Sequence, residues 1–192
     1  MSERLLIAMV GTQDSGKSRT WLELFKKFAE IDSGFFDRNK FRAEFSSGSH
    51  GNVRTRNKVY TFKLTDTKFV KLFLICGSLE ESKDNKSIQE FIKNNDEFQQ
   101  ANIVLCSIQY ADNMLDKGTT LDYFISEGYH IYIHWLNPGI NGKKFEKDCD
   151  LVNQTQHKDN AVLEIYEVEK DVFEPRIQSI VNYIYDWAIP RL

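Results

Sequence analysis

Apolar positions along the chain fall into two rhythms, unbroken short runs and helical spacing. Leu5 to Val10 is a compact apolar run that Gly11 ends. A run this short, set against a glycine-rich turn, predicts a strand buried on both faces. From Ser18 to Ile31 the spacing turns helical. Trp21, Leu22, Leu24, Phe25 and Phe28 share one face, and Glu23, Lys26, Lys27 and Glu30 lie mostly opposite. Ser33-Gly34 predicts the end of that helix. Residues 35–58 read as irregular, with a serine cluster, Gly48 and Gly51. Two strand-like runs follow, Val59 to Leu64 and Phe69 to Gly77. Their short link, Thr65-Asp66-Thr67-Lys68, predicts an antiparallel hairpin.

The second half alternates in the same way. Residues 78–100 are polar, but Ile88, Phe91, Ile92 and Phe98 suit a helix. Ile103 to Tyr110 predicts a strand, Thr119 to Glu127 a helix closed by Gly128, and Tyr129 to Leu136 a strand stopped by Asn137-Pro138-Gly139. Residues 140–160 are polar and predict a long loop or short helix. Ala161 to Val168 predicts a last strand. Val172 to Trp187 carries Phe173, Ile177, Ile180, Val181 and Ile184 at helical spacing, with Pro175 in the first turn and Pro190 at the stop. Strands alternating with helices predict an α/β domain: a mostly parallel sheet between helices, with one antiparallel hairpin strand. Ligands on such sheets bind at the carboxyl ends of the strands.

Composition narrows the function classes. At 192 residues, with 41% apolar residues and no low-complexity run, the chain predicts one domain spanning 1–192 with a real core. A net charge of −3 does not announce a nucleic-acid partner. Cys76, Cys106 and Cys149 are too scattered for a disulfide framework or zinc knuckle, so reduced thiols in a cytoplasmic protein are expected. No run approaches the roughly 20 apolar residues of a membrane span.

The candidate chemistry sits where the first strand meets the first helix. Gly11-Thr12-Gln13-Asp14-Ser15-Gly16-Lys17-Ser18 is G-x-x-x-x-G-K-[ST] in full. Gly11 and Gly16 let the backbone curl so that N–H groups point inward as an anion nest. The helix start adds partial positive charge. Lys17 supplies a mobile cation for phosphate, Ser18 a hydroxyl for magnesium, and Arg19 stands directly behind them. In motif and in the order of elements over most of the chain, the sequence resembles the P-loop NTPase superfamily. That resemblance implies a nucleoside triphosphate, ATP or GTP, bound with Mg2+.

Two branches supply further resemblances. The hairpin after the first helix and the closing strand–helix pair are similar to small GTPases, which would make Thr55, just ahead of the hairpin, a magnesium ligand. The second hairpin strand ends in Leu74-Ile75-Cys76-Gly77-Ser78, without that family's Asp. The guanine-reading motif is replaced by Trp135-Leu136-Asn137-Pro138-Gly139, which tilts the choice towards ATP. Residues Phe35 to Arg42 are similar to the acceptor segment of polynucleotide-kinase-like enzymes. There Asp37 would take the acceptor proton and Arg42 would hold the acceptor. Lys143, Lys144 and Lys147 stand where those kinases carry an arginine-rich lid. Asp112, two residues past the strand Ile103 to Tyr110, is the candidate acid for the magnesium shell.

The sequence therefore predicts a magnesium-dependent NTPase or nucleotide switch. A small P-loop kinase and a catalytically weak subunit of a larger assembly are the alternatives. The basic loop 38–58, densest at Arg54-Thr55-Arg56, is the place for a nucleic-acid or acceptor phosphate if one is used. His130 and His134, four apart on a strand, would need Cys149 or His157 to hold zinc and read instead as sheet residues. Trp187, Tyr183 and Tyr185 read as core and rim.

Overall fold

The six predicted strands form one sheet in the order β2-β3-β4-β1-β5-β6. They are β1 (Leu5–Gly11), β2 (Lys58–Lys63), β3 (Phe69–Ser78), β4 (Ile103–Gln109), β5 (His130–Leu136) and β6 (Ala161–Tyr166). The helices are α1 (Lys17–Ile31), α2 (Ile88–Lys93), α3 (Thr120–Ser126) and α4 (Glu174–Ala188). This computed structural model describes residues 3–12, 15–32, 58–79, 87–110, 119–137, 155, 159–166 and 172–192. Among the described residues every strand pairing is parallel except that of β2 with β3, the hairpin.

β1 lies at the centre, buried along its whole length, with β4 on one side and β5 on the other. An unbroken apolar run is what a strand covered on both faces requires. The hairpin does not touch β1, because β4 lies between β1 and β3. The order of elements along the chain does not specify that adjacency, and it decides which side chains stand beside the phosphate loop.

Alternation along each strand divides the core between two faces. Leu5, Ile7 and Met9 of β1 join Trp21, Leu24, Phe25 and Phe28 of α1 and Ile177, Ile180, Val181 and Ile184 of α4. Leu6, Ala8 and Val10 join Phe73, Ile88, Phe91, Phe98, Leu121 and Phe124 on the opposite face, under α2 and α3. Phe98 meets the Phe73 ring edge-on, with centroids 5.3 Å apart.

Local sequence explains the short elements. Within the polar stretch 78–100 the described residues 87–100 form α2 and a 3-10 turn, Asp96–Gln100, rather than one helix. The Asn94 and Asn95 side-chain amides donate to the Glu90 and Phe91 carbonyls and end α2 there. Ser87 and Glu90 form a capping box at its start, and Thr119 caps α3. The register of β3 against β4 shifts between Ile75 and Ser78, where Gly77 takes φ 80°. That bulge brings the Ser78 hydroxyl to accept the Gln109 N–H at 3.0 Å.

Among the described residues the two outer strands differ. On β2, the Val59 N–H donates to the Glu97 carboxylate (2.9 Å) and the Lys63 N–H to the Asp32 carboxylate (3.3 Å). On β6, Val162 and Ile165 are 41% and 49% exposed. Residues 167–168 of the predicted last strand, and 140–154 and 156–158 of the polar stretch, lie outside the described residues. Among the described residues no helix is long and apolar enough to cross a membrane.

Candidate functional site

The loop that closes β1 packs directly onto the strand end. A Cβ at Gly11 would collide with the Ser15 hydroxyl and come within 3.2 Å of Leu136 Cβ, so a larger residue there requires Ser15 and Leu136 to shift. Ser15 is buried, and among the described residues its hydroxyl has no hydrogen-bond partner. Such a buried polar group is costly unless something bonds it. Gly16 sits at φ 95° and ψ 10°, the left-handed region that favours glycine, and α1 begins at the next residue.

The start of α1 is unlike those of α2 and α3. Ser87 and Thr119 cap those short helices with side-chain oxygens. The cap of α1 is Gly16, which has no side chain to offer, and its first turn carries no acid. A helix start of this kind keeps its partial positive charge uncompensated by the cap, which suits an anion.

Lys17 is buried, 7% exposed. Its ammonium donates to the Gly11 carbonyl at 2.9 Å and to the Thr12 carbonyl at 2.7 Å. Each of those oxygens has a backbone donor as well. The Tyr110 N–H reaches Gly11 at 2.9 Å, and the Ser15 N–H reaches Thr12 at 3.2 Å. Lys17 can therefore swing away without leaving either carbonyl without a donor. Ser18 and Arg19 are exposed. The Arg19 guanidinium lies 4.9 Å over the Phe173 ring, and Arg176 lies 5.2 Å from the same ring.

β4 supplies the polar groups nearest the loop. Ser107 pairs with Met9 across the strands, and Gln109 pairs with Gly11. The buried Trp21 indole donates to the Ser107 hydroxyl at 2.8 Å. Tyr110 stacks on Trp135 at 5.7 Å. At sequence level Trp21 reads only as an apolar-face residue and Ser107 as the polar residue of an apolar strand. The signal that joins them is positional: a tryptophan one turn after the lysine, and a serine near the end of the adjacent strand.

A second polar group lies beneath α4. The Tyr132 hydroxyl bonds Ser179, whose hydroxyl donates to Glu164 at 3.0 Å. His134 neighbours this cluster, fully buried, its ring 4.4 Å from that of Tyr132. Burial pushes the His134 pKa down to about 3; Glu164 opposes the shift and Arg176 adds to it. His134 is thus a neutral sheet residue, as its position suggests. Among the described residues no group of three or more His, Cys, Asp or Glu side chains could hold a metal ion. Trp187 is buried, and Tyr183 and Tyr185 pack against the core from its rim.

The structure brings together Gly11, Thr12, Ser15, Gly16, Lys17 and Ser18, with Arg19 turned towards α4. Gln13, Asp14, Asp37, Arg42, Thr55 and Asp112 lie outside the described residues, as do loop positions 38–57, Cys149 and His157. The parts present fit a phosphate: an uncapped helix start, a movable lysine and an unpartnered loop hydroxyl. For Mg2+, which takes oxygen ligands, Ser18 is the exposed loop hydroxyl, while the hydroxyls of Ser107 and Ser78 already accept from Trp21 and Gln109.

No protein-family model matches the chain, and no curated protein matches its sequence. Among solved structures the chain is similar to that of a candidate nucleolar GTP-binding protein 1 from Plasmodium falciparum. Identity is 16%, the TM-score is 0.39, and the match covers 97% of this chain and 88% of the other. The fold defined here, a mostly parallel sheet between helices with one antiparallel pair, rests on the pairings above and not on that likeness.

Proposed function

We propose that the chain binds a nucleoside triphosphate, ATP or GTP, with Mg2+ at Gly11 to Ser18 and works as a slow NTPase or nucleotide-dependent switch. The observation that carries this is the resting position of Lys17. Its ammonium sits on two carbonyls that backbone N–H groups already serve. A phosphate arriving at the start of α1 can take the ammonium and leave both carbonyls with a donor. Gly16 and the first turn of α1 then receive the phosphate oxygens, Ser15 supplies its unpartnered hydroxyl, and Ser18 faces the metal. The bound ion would supply charge neutralisation between the phosphates. On this proposal Gln13 and Asp14 complete the loop, and Thr55 and Asp112 are the further candidates for the magnesium shell.

The strand ends described beside the loop present hydroxyls and amides: Ser78, Ser107, Gln109 and Asn137. These groups orient ligands but are poor proton acceptors at neutral pH. That favours tight binding with slow turnover, as in a switch or in a subunit of a larger assembly. A kinase activity would depend on Asp37 and Arg42.

Titration calorimetry with MgATPγS and MgGTPγS tests the binding claim. Lys17→Ala is expected to weaken binding about 10- to 100-fold, the worth of a charge-assisted hydrogen bond. Equal affinity in parent and variant would remove the phosphate site from this loop. Incubation with γ-labelled ATP or GTP separates the outcomes beyond binding. Free phosphate marks hydrolysis, a labelled acceptor marks a kinase, and retained label marks a switch.

A further inference from the structure

We infer that the hydrogen bond from Trp21 to Ser107 positions the phosphate loop, making both side chains positioning residues for a phosphate-bearing ligand; this rests on the nucleotide-binding proposal above. Trp21 lies four residues after Lys17, on the same face of α1, and both are buried. An indole has one donor, and this one is given to Ser107 Oγ at 2.8 Å. Ser107 pairs with Met9, two residues before Gly11. The bond therefore joins the strand just below the loop's start to the helix just past the loop's end. A second tie, from the residue just past that strand, runs from the Tyr110 N–H to the Gly11 carbonyl and holds the loop's first residue. β4 is thus the fixed frame against which α1 and its lysine are set.

Packing alone does not account for the pair. β4 runs Ile103, Val104, Leu105, Cys106, Ser107, Ile108, and the serine is the only polar side chain in that buried run. Its hydroxyl is buried and, among the described residues, accepts the indole N–H. Were the pair only a fastener for α1, an apolar contact would do as well, without the cost of burying a hydroxyl and an indole N–H. A directional bond fixes what an apolar contact leaves loose: the rotation of the first turn of α1 about its axis, and with it the aim of Lys17.

The test uses the full chain, MgATPγS and MgGTPγS by calorimetry, and thermal melting without nucleotide as a separate readout of folding. Ser107→Ala and Trp21→Phe are each expected to weaken binding about tenfold at a temperature where the variant is fully folded, the size of one lost buried hydrogen bond. Trp21→Phe keeps an aromatic ring and serves if Ser107→Ala fails to fold. In a Lys17→Ala background, Ser107→Ala is expected to change affinity by less than about twofold, because its effect runs through the lysine. Parent-like affinity in both single variants overturns the inference while leaving the nucleotide site intact, provided Lys17→Ala still weakens binding. An undiminished tenfold loss in the Lys17→Ala background also overturns it. If the parent binds neither nucleotide, the binding proposal fails and the inference fails with it.

Discussion

The face of the sheet beneath α2 and α3 is closed mostly by hydrocarbon, with the Trp135 indole as a buried polar exception, whereas the face beneath α1 and α4 buries several polar groups among its apolar ones. On the first, Phe73, Phe91, Phe98 and Phe124 interlock edge-on and tilted across the strands. On the second, Trp21 bonds Ser107, Tyr132 reaches Glu164 through Ser179, and His134 and Arg176 are buried nearby. Both faces are covered by helices, so exposure does not explain the difference. Buried polar groups cost stability unless each is paired. The first face carries few of them. The second puts its polar groups close to the loop and to the start of α4, where directional bonds set geometry.

The comparison can be broken most severely from the hydrocarbon side. Phe73→Ala is expected to cost about 3–5 kcal/mol, as truncation of a buried aromatic does. At about 2–4 °C per kcal/mol for a chain of this size, the melting temperature should fall by about 6–20 °C. Nucleotide affinity at a temperature where the variant stays folded should be unchanged. A small shift in melting with a large loss of affinity would reverse the division of labour between the faces.

The polar face should reveal itself through pH. The His134 pKa is lowered to about 3 from an ordinary 6.5. Below pH 6.5 the unfolded chain takes up this proton and the folded chain does not. Stability is therefore intact above pH 6.5 and is lost as pH falls from there towards 3, by about 1.4 kcal/mol per unit from this group. Urea unfolding of the parent and of His134→Gln at pH 7 and pH 5 isolates it. The parent should lose about 2 kcal/mol more than the variant over that interval. Parallel losses would mean that His134 is protonated within the fold.

Gly11→Ala strikes where the loop meets the sheet. The added methyl collides with Ser15 and presses on Leu136. A loss of about 1–3 kcal/mol is expected from overpacking, together with weaker nucleotide binding, because the loop must lift from the strand end. A variant that melts lower but binds as the parent does would uncouple the loop from β1. The smallest effect belongs to the hydrocarbon side. Ser87→Ala removes one half of the capping box of α2 and should cost about 1 kcal/mol, with no change in binding.

Much of this architecture was legible before any coordinates. The run Leu5 to Val10, the amphipathic helix after it, the hairpin around Thr65-Asp66-Thr67-Lys68 and the closing helix all follow from periodicity, because each has one dominant burial pattern. The strand order did not follow. Nothing in the order of elements places β4 beside β1, since adjacency in a parallel sheet is chosen by the crossovers and not by the strands' own residues. The same holds for the site. Gly11, Gly16 and Lys17 were readable because the phosphate chemistry demands those residue types at that spacing. Trp21 and Ser107 were not, because they are 86 residues apart and each looks ordinary in its own element. The polar stretch 78–100 misled for a local reason: asparagine side chains end α2 a turn before the apolar spacing does.

The carboxylates on β2 have a consequence for how copies of this chain can meet. Joining sheets head to tail without limit requires two free rims on every molecule, one to give and one to receive. Glu97 and Asp32 already occupy the Val59 and Lys63 N–H groups of one rim. Laying a second strand along β2 therefore requires both carboxylates to be displaced first.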